Sequence, residues 1–209
     1  MKIAVVASNG KASRAIVAEL IARGHEVTGF ARRENKSTAQ NFVQKDIMAL
    51  SKEDLAGFDA VVDGFGAYTP KTLPLHTQTS QHLADLVAGT ATRLYIVGGA
   101  GSLYVDAEHR VQLLDTPEFP AEFYPLAKAQ TEELAALRSR TDAKWVFVSP
   151  AADFRADGEK TGKYILGGEE LTLSGAGESI ISYADYAVGM VDLIESGAHI
   201  GERVSLVQA

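Results

Sequence analysis

The tightest constraint on this chain lies within its first seventeen residues. Lys2-Ile-Ala-Val-Val-Ala7 is an apolar run of strand formers, Ser8-Asn9-Gly10-Lys11 is a small polar turn, and Ala12-Ser-Arg-Ala-Ile-Val17 opens a helical pattern at once. A buried strand that feeds a helix through so short a turn suits a phosphate cradle, because the turn's amides and the helix N-terminus both face the anion. Ala12, Ile16 and Leu20, with Ala15 beside them, recur at helical spacing. Gly24 stands where a helix-ending glycine belongs, and His25-Glu-Val-Thr-Gly-Phe-Ala31 reads as a second strand. Two parallel strands joined by a helix need a right-handed crossover, so the opening commits the chain to an α/β architecture.

The same alternation continues. Asn41–Ile47 reads as a third strand ending at Asp46, Phe58–Ala67 as a fourth running into a glycine turn, and Thr92–Leu103 as a fifth whose exit carries Gly98, Gly99 and Gly101. Lys144–Pro150 is a sixth strand, with Trp145 as a packing residue, and Val204–Val207 a closing one. Helical patterns cover 75–88, with Leu83, Leu86 and Val87 inward, 125–140, and 180–195; residues 68–74 and 104–123 are irregular. Between them, Gly158–Gly177 is glycine-rich, and Lys163–Leu166 with Glu170–Leu173 suggest a hairpin-like lobe. The expected fold is a doubly wound parallel sheet over residues 1–209 as one domain, with residues 151–180 forming a small C-terminal lobe where substrate enters.

Composition narrows the partners. A net charge of −7 argues against nucleic acid or an anionic membrane surface. The absence of cysteine removes disulfides and thiolate chemistry, and five scattered histidines show no metal-ligand spacing. The start reads as a strand rather than a leader, and no apolar run reaches membrane length. The expectation is a cytoplasmic monomer or homodimer acting on a small molecule, with no metal.

Candidate site residues gather at the carboxyl ends of these strands, where open α/β sheets bind ligands. Ser8, Asn9, Gly10, Lys11 and Ala12 form the phosphate turn. Arg32 and Arg33 end the second strand with no acid before Glu34. An arginine there accommodates a 2′-phosphate, which reads as NADP(H), and the alternative is a solvated basic pair. Asp46 and Ile47 are placed to meet an adenine, or else Asp46 caps a turn. Phe65, Gly66, Gly98 and Gly99 line the edge, and Ser102 follows them. His76 and His82 read as surface or cap histidines, and Asp185 with Tyr186 as anchors for the last helix.

Several of these stretches are shared with a known family. The chain resembles the atypical short-chain dehydrogenases of the NAD(P)H-flavin reductase group, related to NmrA-like proteins and biliverdin reductase B. The resemblance rests on the opening turn, Val97-Gly-Gly-Ala-Gly-Ser-Leu103, Asp115-Thr-Pro-Glu-Phe-Pro-Ala-Glu-Phe123, Ser149-Pro-Ala-Ala-Asp-Phe154, Thr161-Gly-Lys-Tyr-Ile-Leu-Gly-Gly168 and Ile181-Ser-Tyr-Ala-Asp-Tyr-Ala187. It implies a nicotinamide cofactor, a flavin as one acceptor, and Lys11 joining Arg32 at the 2′-phosphate. The family's G-A-T-G-x-x-G is altered here: Ala7 and Ser13 replace the outer glycines, Gly10 remains, and Asn9 is the residue expected to tolerate left-handed geometry.

Tyr124 and Lys128 match the Y-x-x-x-K spacing of short-chain dehydrogenases, with Ser102 upstream. Residues four apart share a helix face, so the lysine charge lowers the tyrosine pKa and lets the phenol protonate a carbonyl oxygen. Many members of the resembled group lack this pair, so its catalytic role stays open. The expected function is an NADP(H)-dependent oxidoreductase passing hydride to a flavin, quinone-like or small carbonyl acceptor. A non-catalytic NADP(H) sensor is the alternative, and a sugar epimerase ranks third, because the short lobe leaves little room for a nucleotide-sugar.

Overall fold

A computed structural model describes all 209 residues. Strands β1 (Lys2–Val6), β2 (Glu26–Ala31), β3 (Asn41–Gln44), β4 (Ala60–Asp63), β5 (Arg93–Val97) and β6 (Lys144–Pro150) lie parallel. Beyond the short β7 (Asp153–Arg155) come β8 (Tyr164–Gly167), β9 (Ile180–Ser182) and β10 (Glu202–Gln208). The main sheet has eight strands in the order β3-β2-β1-β4-β5-β6-β10-β8, all parallel except β8, so the expected doubly wound sheet is present. The order reverses between β1 and β4, and that junction is where such sheets open a ligand crevice.

Helices cover both faces. Helix α1 (Lys11–Ala22) and α4 (Tyr183–Ser196) pack on one side, and α2 (Leu75–Val87) and α3 (Tyr124–Arg138) on the other. The pleat sends alternate residues to opposite cores. Ile3 and Val5 join Ile16, Leu20 and Tyr186 on one face, while Ala4 and Val6 join Leu83, Leu134 and Trp145 on the other. Strands buried on both faces therefore read as largely apolar runs, as β1, β4 and β6 do. Gly24 follows α1 with φ +80, the left-handed stop that its position suggested. No helix is long and apolar enough to cross a membrane.

The C-terminal third departs from the sequence reading in two places. Residues 163–173 do not form a hairpin: β8 adds antiparallel to β10, while Glu170 makes only a bridge to Tyr104. The free edge of β10 offers a full row of backbone partners, which a short turn-linked pair cannot match. The last helix also starts later, because Ile180–Ser182 are β9, paired with β7 in a separate two-stranded sheet. Ser182 then caps α4 by accepting the Asp185 amide at 2.9 Å.

Asp185 and Tyr186 do anchor α4. The Tyr186 hydroxyl donates to the Val148 carbonyl at 2.7 Å in full burial. The Asp185 carboxylate accepts the Thr161 and Gly162 amides and the Thr161 hydroxyl at 2.9, 2.7 and 2.8 Å. Asp185→Ala removes the charged acceptor of two part-buried amides and should cost about 2 kcal/mol in denaturant unfolding.

Candidate functional site

The β1–α1 turn is built by its backbone. Ala7 takes a left-handed φ of +55, which lets the Gly10 amide donate to the Ala7 carbonyl at 3.0 Å. Left-handed geometry thus falls on Ala7, where the family carries glycine, and not on Asn9. Gly10 caps α1 in extended geometry and accepts the Arg14 amide, while the amides of Lys11, Ala12 and Ser13 have no acceptor in the chain. These three donors open onto the β1–β4 junction and form an anion cradle.

Ser8 and Asn9 serve the turn differently from expectation. The Ser8 side chain is buried toward β2, its hydroxyl donating to Phe30 at 3.4 Å, so it faces away from the crevice. A Cβ on Gly29 would lie 2.8 Å from that hydroxyl, so β2 is cut away to receive it. Asn9 is a strut: its amide donates to the Glu34 carbonyl at 2.9 Å and its oxygen accepts the Lys36 amide at 2.7 Å. The segment after β2 is thereby tied to the phosphate turn. Ser13 is small and buried, and donates to the Gly64 carbonyl at 3.5 Å.

At the end of β2 the Arg32 side chain is 75% exposed, and its Nε lies 3.9 Å from Asp46. Asp46 accepts the Met48 amide at 2.9 Å and so caps a 3-10 turn, and Ile47 is buried in the α2–α3 core. Between α1, residues 36–38 and Tyr183 runs a groove of 450 Å³ that holds Lys11, Arg14 and Lys36 against one acid, Asp157.

The glycines after β5 answer to packing. A Cβ on Gly98 would lie 2.2 Å from the Phe147 ring, one on Gly99 would lie 2.1 Å from Gln130, and one on Gly101 would lie 2.6 Å from Ala127. None of the three has positive φ, and the Gly98 amide still bonds β6. They are small because β6 and α3 close over them, so this exit is a fixed seat rather than a flexible turn.

Ser102 is 4% exposed, and its carbonyl accepts from Arg203 at 3.3 Å. Tyr124 and Lys128 are exposed on the first turns of α3. No hydrogen bond joins the three, and the α3 side chain that meets the Gly99 backbone is Gln130.

The sequence pattern of NAD(P)H-binding proteins matches residues 8–196. This chain belongs to the NAD(P)H-binding family. The protein YwnB of Bacillus subtilis, of uncharacterised function, is 41% identical over 99% of this chain and 98% of its own. A solved structure of a candidate NADH-flavin reductase from Streptococcus pneumoniae is 57% identical, covers both chains completely and superposes with a TM-score of 0.98. A candidate epimerase from Bacteroides thetaiotaomicron is 32% identical over 99% of this chain and 96% of its own, with a TM-score of 0.86. The turn fits the cofactor of the family: it has three free amides, a helix N-terminus and a Gly10 where a Cβ would lie 3.3 Å from the Ser13 hydroxyl.

Beneath the crevice wall lies a group that reading the sequence missed. Asp63, His76 and Glu133 are all at most 2% exposed. The Asp63 carboxylate accepts the Phe65 amide at 2.9 Å, and burial pushes its pKa up to about 6. Burial, and then the nearby Asp63, hold Glu133 well above the carboxylate range, while burial pushes His76 down. His76 is therefore no surface histidine: its Nδ1 is 3.8 Å from Glu133 and its Nε2 is 3.1 Å from the Ala67 carbonyl. The available signal was Asp63 itself, a charge closing the buried run Ala60-Val-Val.

Two expectations follow. Ala7→Gly relieves left-handed strain and should raise unfolding free energy by about 1 kcal/mol. For Asp63 the folded pKa is raised, so its contribution to stability is full below the unfolded value and is lost as pH rises through about 6. Asp63→Asn should then be more stable than the wild type by about 2 kcal/mol near pH 8, with the gain fading toward pH 4, in paired thermal or urea melts.

Proposed function

We propose that this protein is an NAD(P)H-dependent oxidoreductase that favours NADPH and reduces a flavin, quinone-like or small carbonyl acceptor. The single observation that carries it is the open amide cradle of Lys11, Ala12 and Ser13 at the β1–β4 junction, with Arg32 at the next strand end. The naming of the Streptococcus relative supports the reductase reading. The bound cofactor supplies hydride from its nicotinamide.

The chain's own residues bind and orient. The three amides and the α1 N-terminus take the pyrophosphate. Arg32, with Lys11, pairs the 2′-phosphate, a contact that a ribose hydroxyl cannot repay. The Gly64–Ala67 segment walls the crevice, and the closed seat at Gly98 and Gly99 excludes water from its floor. Tyr124 and Lys128, one turn apart on α3, are the proposed proton source for a carbonyl or quinone oxygen. Ser102 contributes through its backbone and not as a partner of that pair. The protein acts alone or as a homodimer on a small molecule in the cytoplasm.

A non-catalytic NADP(H) sensor is the second reading, favoured by the lack of contact between Ser102 and the Tyr124–Lys128 turn. NADPH fluorescence should rise on mixing, and Arg32→Glu should weaken NADPH about tenfold or more while changing NADH much less. Failure of both cofactors to bind at millimolar concentration overturns the reading. Steady oxidation of NADPH by a flavin or quinone excludes the sensor, and its loss in Tyr124→Phe identifies the acid; turnover retained in that variant removes Tyr124 from the chemistry.

A further inference from the structure

The wall of the crevice is held from below at each of its ends. Leaving β4, the Gly64 amide bonds the Val6 carbonyl at 3.1 Å and its carbonyl receives the Ser13 hydroxyl. The Phe65 amide bonds Asp63, and the Phe65 ring stands edge-on to His76 with centroids 5.4 Å apart. At the far end His76 is the tether: its Nε2 lies 3.1 Å from the Ala67 carbonyl and 3.3 Å from the Ala67 amide. One nitrogen cannot donate and accept together, and the shorter contact selects Nε2–H donating to the carbonyl. Nδ1 then carries a lone pair, and it faces Glu133.

The Glu133 oxygen nearest Nδ1 is buried and has no hydrogen-bond partner, and neither has Oδ2 of Asp63. From α2, His76 and the Ser80 hydroxyl act on Glu133. On β1 and β5 the residues in register with Asp63 are Val6 and Ile96. No lysine or arginine acts on either acid. Two anions without a cation in one dry space are untenable, so at least one proton stays. Asp63 has an amide to stabilise its charge and Glu133 has none, which leaves the proton on Glu133, whose nearest oxygen lies 3.8 Å from Nδ1.

We propose that Glu133 is a positioning residue for cofactor binding: as a neutral carboxylic acid it fixes the tautomer of His76, and His76 fixes Ala67 and the crevice wall. The assignment rests on nicotinamide binding by this chain. Ionising Glu133 reverses the preference: the buried anion draws the single imidazole proton from Nε2 to Nδ1, Nε2 then has no hydrogen to give the Ala67 carbonyl, and the wall loses its far tether.

Two measurements test it. Infrared spectra of the cofactor-free protein near neutral pH should show a protonated buried carboxyl, absent from E133Q. NADPH affinity of the wild type should fall about fivefold or more as pH is raised from about 7 to about 9, below the range in which lysines lose their charge. E133Q, neutral at every pH, should bind with an affinity that does not change over that range, and H76F should bind more weakly throughout. A carboxyl band that persists in E133Q, or an alkaline loss that E133Q shares, overturns the role of Glu133 while leaving cofactor binding intact. A wild type that binds neither NADPH nor NADH overturns the cofactor reading itself, whatever the infrared band shows.

Discussion

At the point where the strand order reverses, two loops must pass within contact of each other, and the structure depends on how they do so. A Cβ on Gly64 would lie 2.1 Å from the Ser13 hydroxyl, so the approach exists only because position 64 has no side chain. The hydroxyl then donates to the Gly64 carbonyl, and the first turn of α1 is locked to the end of β4. In the family pattern a glycine on the helix provides this clearance. Here serine occupies the helix, and Gly64 across from it provides the space. The cradle survives an altered fingerprint for that reason.

The parallel core was legible because buried strands carry their signal in every residue. β1, β4 and β6 are largely apolar, and the helices between them show a plain 3.6-residue period. The β1–α1 turn was legible as strand, small residues and helix, but with Ala7 and Ser13 in place of the outer glycines it named no cofactor by itself. What failed were features decided by distant partners. Ile180–Ser182 runs without a break into a helical pattern but pairs with β7, and Tyr164–Gly167 joins a strand some forty residues later in the chain. Neither partner is visible from a local window.

The site residues divide along the same line. Gly98, Gly99 and Gly101 invite a reading of flexibility, yet each is demanded by a side chain from another element. Ser8 and Ile47 sit where a ligand contact is expected and instead face protein. His76 passes for a surface residue in a helical pattern, because nothing local announces that Ala67 and Glu133 will enclose it. Small and polar residues at a sheet edge are ambiguous by nature: the same lack of bulk that admits a ligand admits a neighbouring helix.

Asn9 gives the crevice a mechanical unity that its parts do not suggest. Its side chain spans from the phosphate turn to the backbone of residues 34 and 36, just past the arginine at the end of β2. The turn proposed to take a pyrophosphate and the segment proposed to read the adenosine half are thus tied into one piece. A transplant of the segment after β2, made to exchange one nicotinamide for the other, would import a loop shaped for a different strut. The natural unit of exchange is that loop together with position 9.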